Sequence, residues 1–265
     1  MVLFRFFRNV GTYISIVRKR NTPPSAITGA QDLLADIPIF VINLERNRQR
    51  REFALQKLAD LGLKGEIFPA VDGKTLDLNE LKSKAVYDDA VAHDKFSRSL
   101  SRGEIGCSLS HLRLYKKIVD EDIDTALILE DDAMFVDDVR KQLTGLLGRL
   151  PSDSDLVQLI YECKDHSPIA PGLVRFHSRS CMPVASAGYL IRKSGARKML
   201  AEGYPVRYPA DSFIGRSPRW GTMVYGASPK LVRINNIFPS EIYQGRTLKS
   251  RLGNRVKAVF VRLLG

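Results

Sequence analysis

Four apolar residues, Ala126-Leu127-Ile128-Leu129, run directly into three carboxylates, Glu130-Asp131-Asp132. An apolar run this short, ending abruptly in acid, predicts a buried strand that emerges at the edge of an α/β sheet. Open α/β sheets bind ligands outside the carboxyl ends of their strands. Continued strand alternation sends Glu130 and Asp132 to one side and Asp131 to the other. Two hard oxygen ligands on one side suit Mg²⁺ or Mn²⁺, and such an ion neutralises a diphosphate. The same residues also read as a solvated acidic loop in which Asp131 or Asp132 caps the next helix.

The rest of the chain alternates strand and helix patterns. Residues 37–44 form the first expected strand. A helix to about Leu61 follows, with Phe53, Leu55, Leu58 and Leu61 apolar, and then a strand over 66–71. Residues 74–100 are polar and uneven, suggesting short helices and a loop over the site. Ser101 and Glu104 have capping-box spacing, so a helix starts there with Ile105, Leu109, Leu112, Tyr115 and Val119 on its apolar face. Strands over 156–161, 188–191 and 231–234 and a helix over 194–201 complete the pattern. The alternation argues for a three-layer α/β/α fold on a mostly parallel sheet.

The 265 residues carry 41 basic and 29 acidic groups, a formal charge of +12. Where that charge lies decides what it means. Residues 1–20 contain five basic groups and no acid, and residues 246–265 contain six and no acid, which leaves the middle with 30 basic and 29 acidic groups. Three divisions follow: a basic, aromatic appendage over 1–36, a body over 37–245, and a tail over 246–265. In the tail, Leu248, Leu252, Val256, Val259, Phe260 and Leu263 make an apolar stripe among basic residues. A cationic amphipathic helix of this kind lies on an anionic membrane surface, or docks on the protein's own core. A near-neutral body with no recognition motif argues against a nucleic-acid partner.

Three cysteines, Cys107, Cys163 and Cys181, are too few and too scattered for a disulfide framework or a zinc cluster, and their number fits a reducing compartment. No stretch approaches the roughly 20 apolar residues of a membrane span. The N-terminal Val2–Arg8 is broken twice by arginine and has no small-residue cleavage site, so no signal peptide is expected.

Several blocks together resemble glycosyltransferase family 25. They are Val41-Ile42-Asn43-Leu44-Glu45-Arg46 with Arg50, the run from Ser101 through Gly103-Glu104, Cys107 and Ser110-His111 to Arg113, and Leu127–Asp132. Phe68–Gly73 and Ala187–Ile191 match more loosely, and the likeness extends from about Pro38 to about Asp211. That family includes bacterial lipooligosaccharide galactosyltransferases and the collagen galactosyltransferases. The resemblance implies a GT-A-like fold and inverting transfer of galactose from UDP-galactose to a lipid-linked oligosaccharide, with a divalent cation, Mn²⁺ or Mg²⁺. The protein would then work in the cytoplasm, attached to the inner face of the cytoplasmic membrane.

The resemblance also assigns residues. Asp132 becomes the preferred metal ligand and a catalytic residue, with Glu130 the second ligand or a donor contact, and Asp131 joins the donor site. The Glu in the first position departs from the family's D-x-D-like pattern. Asn43 and Arg46, at the end of the first strand, become donor contacts, against ordinary turn chemistry and a solvated arginine. Arg50 contacts the diphosphate or forms an ion pair along its helix. His111 belongs to the donor or acceptor pocket, against a buried hydrogen-bonding role, while Glu104 is a helix cap. Asp211 is a candidate general base or a helix cap. Rival readings are a collagen-type protein galactosyltransferase, an inactive relative acting in membrane-bound assembly, and a non-catalytic basic binding protein.

Overall fold

The computed structural model describes residues 33–177, 183–235, 237, 238 and 242. The first thirty-two residues and the tail from 246 onward, where the appendage and the amphipathic helix were expected, lie outside the described residues. Leu34, at the end of the segment assigned to the appendage, is buried in the core of the body.

The chain begins with β1 (Ile39–Asn43), α1 (Arg48–Asp60) and β2 (Glu66–Pro69), then a 3-10 turn at Gly73–Thr75. Next come α2 (Leu78–Ser83), α3 (Asp89–Phe96), α4 (Arg102–Asp120), β3 (Thr125–Glu130), β4 (Ala133–Phe135) and α5 (Val139–Leu147). The second half holds β5 (Leu156–Gln158), β6 (His166–Ala170), β7 (Leu173–Phe176), β8 (Gly188–Arg192), α6 (Lys193–Gly203), α7 (Ala210–Arg216), β9 (Val224–Ala227) and β10 (Val232–Ile234).

Eight strands form one sheet in the order β2-β1-β3-β8-β5-β9-β7-β6, and β4 pairs with β10 in a separate ribbon. The parallel pairing expected of the first strands holds across β2, β1 and β3, and again between β5 and β9. The sheet as a whole is mixed, because β8 runs antiparallel to both β3 and β5, and β7 to both β6 and β9.

Period-two alternation sorts the core into two faces. Phe40, Ile42, Ala126 and Ile128 meet Ile105, Leu112 and Tyr115 of α4, with α6 and α7 on the same side. Ile39, Val41, Leu127 and Leu129 meet Ala54 and Leu58 of α1 and Leu143 and Leu146 of α5. The result is the three-layer α/β/α arrangement. The expected apolar face of α4 is buried, and its start carries the full capping box: Glu104 N donates to Ser101 Oγ at 3.2 Å, and Ser101 N donates to Glu104 at 2.8 Å.

Two expectations change. After Glu130 the chain turns directly into β4, so the acidic triplet neither continues a strand nor caps a helix; the next helix, α5, is preceded by Asp138. Cys163 is disulfide-bonded while Cys107 is free, which removes the basis for inferring a reducing compartment from cysteine number.

The loop after β2 packs tightly on the first turns of α4. A Cβ on Gly106 would lie 2.7 Å from the Val71 carbonyl and 3.0 Å from the Gly73 nitrogen. These are backbone atoms, so relief requires moving the helix or the loop. Gly106→Ala should therefore cost about 1–3 kcal/mol and lower Tm by several degrees. Gly148→Ala, whose Cβ would meet nothing closer than 3.7 Å, should leave Tm unchanged or slightly raised. Calorimetry of the two variants side by side checks this.

Candidate active site

The carboxyl ends of β2, β1 and β3 face one edge of the sheet, and the segments leaving them line a cavity of about 590 Å³. After β1 come Leu44, Arg46, Asn47 and Arg50; after β2, Ala70 through Lys74; after β3, Glu130, Asp131 and Asp132. The start of α4 closes the wall with Ser101, Arg102, Gly103, Cys107 and Ser110. Ser110 Oγ accepts from the Val71 backbone N–H at 2.8 Å, which ties the β2 loop to α4 across the cavity floor.

Arg50 organises the acidic edge. It is 9% exposed, and its Nη2 lies 2.5 Å from Asp131 Oδ1 and 3.0 Å from Asp132 Oδ2. Asn43 Nδ2 donates to the other Asp131 oxygen at 2.7 Å. Asp131 and Asp132 thus share a guanidinium, and the alternation that would separate them has already ended at Glu130. Of the two sequence readings for Arg50, the ion pair is present, and it runs across the sheet edge rather than along the helix.

Glu130 faces the other way, toward α4. His111 Nε2 lies 3.3 Å from Glu130 Oε1, and His111 Nδ1 lies 2.7 Å from the Tyr189 hydroxyl, which is 2.8 Å from that of Tyr115. His111 is 1% exposed and does not line the cavity, so it supports Glu130 from behind instead of forming part of the pocket wall. Asn43 is likewise buried behind Asp131 and does not line the cavity. Arg46 does line it, paired with Asp72.

Electrostatics single out Asp132. Burial and the neighbouring charge of Glu130 push its carboxyl up to about 7, against the opposing pull of Arg50. Burial also raises Asp131, with Arg50 and Asn43 opposing. For Glu130, burial acts upward but is outweighed by its interactions with His111, which hold it below the usual range. Asp132 Oδ1 is buried without a hydrogen-bond partner. Two carboxylates sharing a single guanidinium, a third beside them on His111, and one buried oxygen unsatisfied form a donor set that fits a hard dication.

Asp211 lies in the first turn of α7, and its Oδ1 accepts from the adjacent Ser212 N–H at 2.5 Å. It does not line the cavity. Burial raises its carboxyl, and the charges of Glu130 and Glu104 add to the effect, which sets it within electrostatic reach of the acidic edge. Glu104 is the cap expected of it and also forms an ion pair with Arg98 at 2.7 Å.

Sequence reasoning missed Asp72, Lys74 and Arg102 as wall residues. For Asp72 and Arg102 the signal was present in the blocks Val71-Asp72-Gly73 and Arg102-Gly103-Glu104, where Gly73 permits the close packing of loop on helix: a Cβ there would lie 2.7 Å from Gly103 N. With Arg46, the basic pair brings three cationic side chains to the cavity lining besides Arg50.

The chain is 31% identical to human procollagen galactosyltransferase 2 over 184 residues, covering 66% of this chain and 29% of that protein. It is 30% identical to a glycosyltransferase 25 family member of Drosophila melanogaster over 217 residues, 73% of this chain and 35% of the other. It is 32% identical to the human inactive glycosyltransferase 25 family member 3 over 187 residues, 66% of this chain and 31% of the other. The chain thus spans about a third of the length of these relatives. Residues 36–214, most of the chain and the whole of the cavity wall apart from Ile242, match the model of glycosyltransferase family 25 (LPS biosynthesis protein). The chain belongs to glycosyltransferase family 25.

Proposed function

We propose that this chain is an inverting, GT-A-type galactosyltransferase that takes UDP-galactose as donor and a hydroxyl of a procollagen-type polypeptide as acceptor. The observation that carries the donor half is the cavity itself: it is lined by Glu130, Asp131 and Asp132 together with Arg46, Lys74 and Arg102, at the carboxyl ends of three parallel strands. That distribution suits a nucleoside diphosphate. The procollagen galactosyltransferases among the relatives support galactose, and they favour a protein acceptor over the lipooligosaccharide expected from the sequence. The saccharide of a lipid-linked acceptor remains the second reading, supported by the family's description as LPS biosynthesis proteins.

In this reading the acceptor oxygen attacks the anomeric carbon as the bond to the diphosphate breaks, and the hydroxyl proton passes to a carboxylate. Asp132 and Glu130 would hold Mn²⁺ or Mg²⁺, which would supply positive charge against the departing diphosphate. Arg50 keeps Asp131 and Asp132 in place and leaves Asp132 Oδ1 available. His111, braced by Tyr189, fixes the rotamer of Glu130. Arg46, Lys74 and Arg102, which also line the cavity, orient the diphosphate. Asp211 accepts the acceptor proton, a task that its raised carboxyl suits.

Incubating the purified protein with a panel of UDP-sugars, a procollagen peptide and a lipooligosaccharide fragment, with mass and linkage analysis, tests the reading. Transfer of galactose to the peptide is expected; transfer only to the saccharide reverses the acceptor order, and no transfer with any pair places the chain with the inactive relatives. Asp132→Ala should lower turnover on the order of a hundredfold or more, since loss of such charge stabilisation typically costs about 3 kcal/mol in the barrier. Near-normal turnover in that variant, or in excess chelator, removes the cation from the mechanism. Asp211→Asn should collapse kcat while the donor still binds, as read by calorimetric titration of UDP; weakened UDP binding with intact kcat would instead mark Asp211 as a binding group.

No helix among the described residues is long and apolar enough to cross a membrane. The basic composition of residues 246–265 supports attachment to an anionic membrane surface. Deleting those residues should release the protein from anionic vesicles in a sedimentation assay while leaving transfer to a short soluble acceptor. Unchanged sedimentation would assign the anchor elsewhere.

A further inference from the structure

Cys107 and His111 stand four residues apart on α4, so both project from one face of that helix. Glu130 approaches the same face from the end of β3. One ligand atom from each of the three lies within 4.8 Å of the other two. The 3.3 Å between His111 Nε2 and Glu130 Oε1 is about the edge of a tetrahedron whose nitrogen and oxygen ligands sit about 2.1 Å from a central Zn²⁺. We propose that Cys107, His111 and Glu130 form a zinc site, with its fourth position open to the donor cavity.

Three independent features support this. Cys107 and Glu130 both line the cavity, so an ion has a path in and a place for water or ligand. His111 is 1% exposed and has a second partner of the kind that orients metal-bound imidazoles: its Nδ1 is 2.7 Å from the Tyr189 hydroxyl, itself 2.8 Å from Tyr115. In the tautomer that donates from Nδ1 to Tyr189, Nε2 directs its lone pair at the site. The ligand set is also selective. A thiolate and an imidazole with one carboxylate prefer Zn²⁺, whereas the oxygen-only edge around Asp132 prefers Mg²⁺ or Mn²⁺. Binding replaces the Cys107 S–H bond by an S–Zn bond and releases the proton to solvent, with no change of oxidation state.

Glu130 belongs to both ligand sets. Zinc therefore competes for a carboxylate that the proposed transfer reaction uses, and the site becomes a point at which a soft cation shuts off a reaction run with a hard one. Only this consequence rests on the transferase reading; the zinc site does not.

Cobalt is the test probe, because a thiolate ligand and tetrahedral geometry each give it a distinct absorption. Titrating the full chain with Co²⁺ should yield one tetrahedral ion per chain with a thiolate-to-cobalt charge-transfer band, and Zn²⁺ should abolish both signals. Cys107→Ser, which keeps the side-chain size and whose fold is checked by circular dichroism, should remove the charge-transfer band. It should also weaken Zn²⁺ by more than the roughly 10- to 100-fold typical of losing a partner that merely orients a ligand. Tyr189→Phe should fall within that smaller range and keep the band. A six-coordinate spectrum without the band in the unaltered chain, or a band that persists in Cys107→Ser, overturns the proposal. Because these readouts need no turnover, a failed transferase assay leaves them unaffected.

Discussion

The buried guanidinium of Arg50 is the contact on which the site depends. It projects from α1 to the turn after β3 and is held there by Asp131 at 2.5 Å and Asp132 at 3.0 Å. A buried charge costs several kcal/mol unless it is paired, so neither the helix nor the turn can move without exposing an unmatched ion. The constraint does more than hold α1 in place. It stops two of three adjacent carboxylates from repelling one another out into solvent, and it does so incompletely. The surplus negative charge shows in Asp132, raised to about 7 by burial and Glu130, and in its second oxygen, which has no partner. A site built this way is stable as a fold and unsatisfied as electrostatics.

The wall behind this edge is built on different physics. Glu130 is braced by His111, Tyr189 and Tyr115, a chain of buried polar groups running between α4, β3 and β8. Such networks are rigid when fully paired and costly when broken. Close backbone packing supplies the rest, with Gly106 of α4 set against Val71 and Gly73 so that the β2 loop reaches over the cavity. The capping box at Ser101 and Glu104 fixes where α4 begins, and therefore which of its residues reach the cavity.

The relatives include both procollagen galactosyltransferases and a protein described as inactive. Asp211, the candidate base, is not among the residues lining the cavity, though the charge of Glu130 acts on its carboxyl. The chemistry of this chain is therefore best defined on the donor side.

Much of the architecture was legible in the residues because it is encoded locally. The strand before the acidic triplet, the capped helix over Arg102–Asp120 and the two-faced burial of Ile39–Asn43 all follow from periodicity and caps over a few neighbouring residues. The acidic triplet and its position at a strand end were likewise visible, and the family pattern put His111 and Arg50 in the same pocket without pairing them with the triplet. The roles within that site were not. Strand alternation separates Asp131 from Asp132, yet a turn and an arginine 81 positions upstream of Asp131 bring them to one guanidinium. His111 and Asn43 read as pocket residues and prove to be supports, since exposure depends on what packs in front of a side chain. Lys74 and Arg102 acquire meaning only when the β2 loop folds against α4. Helix and strand are decided by spacing along the chain, whereas a side chain's partner, and with it its protonation and its chemistry, is decided by contacts between segments that only the tertiary structure brings together.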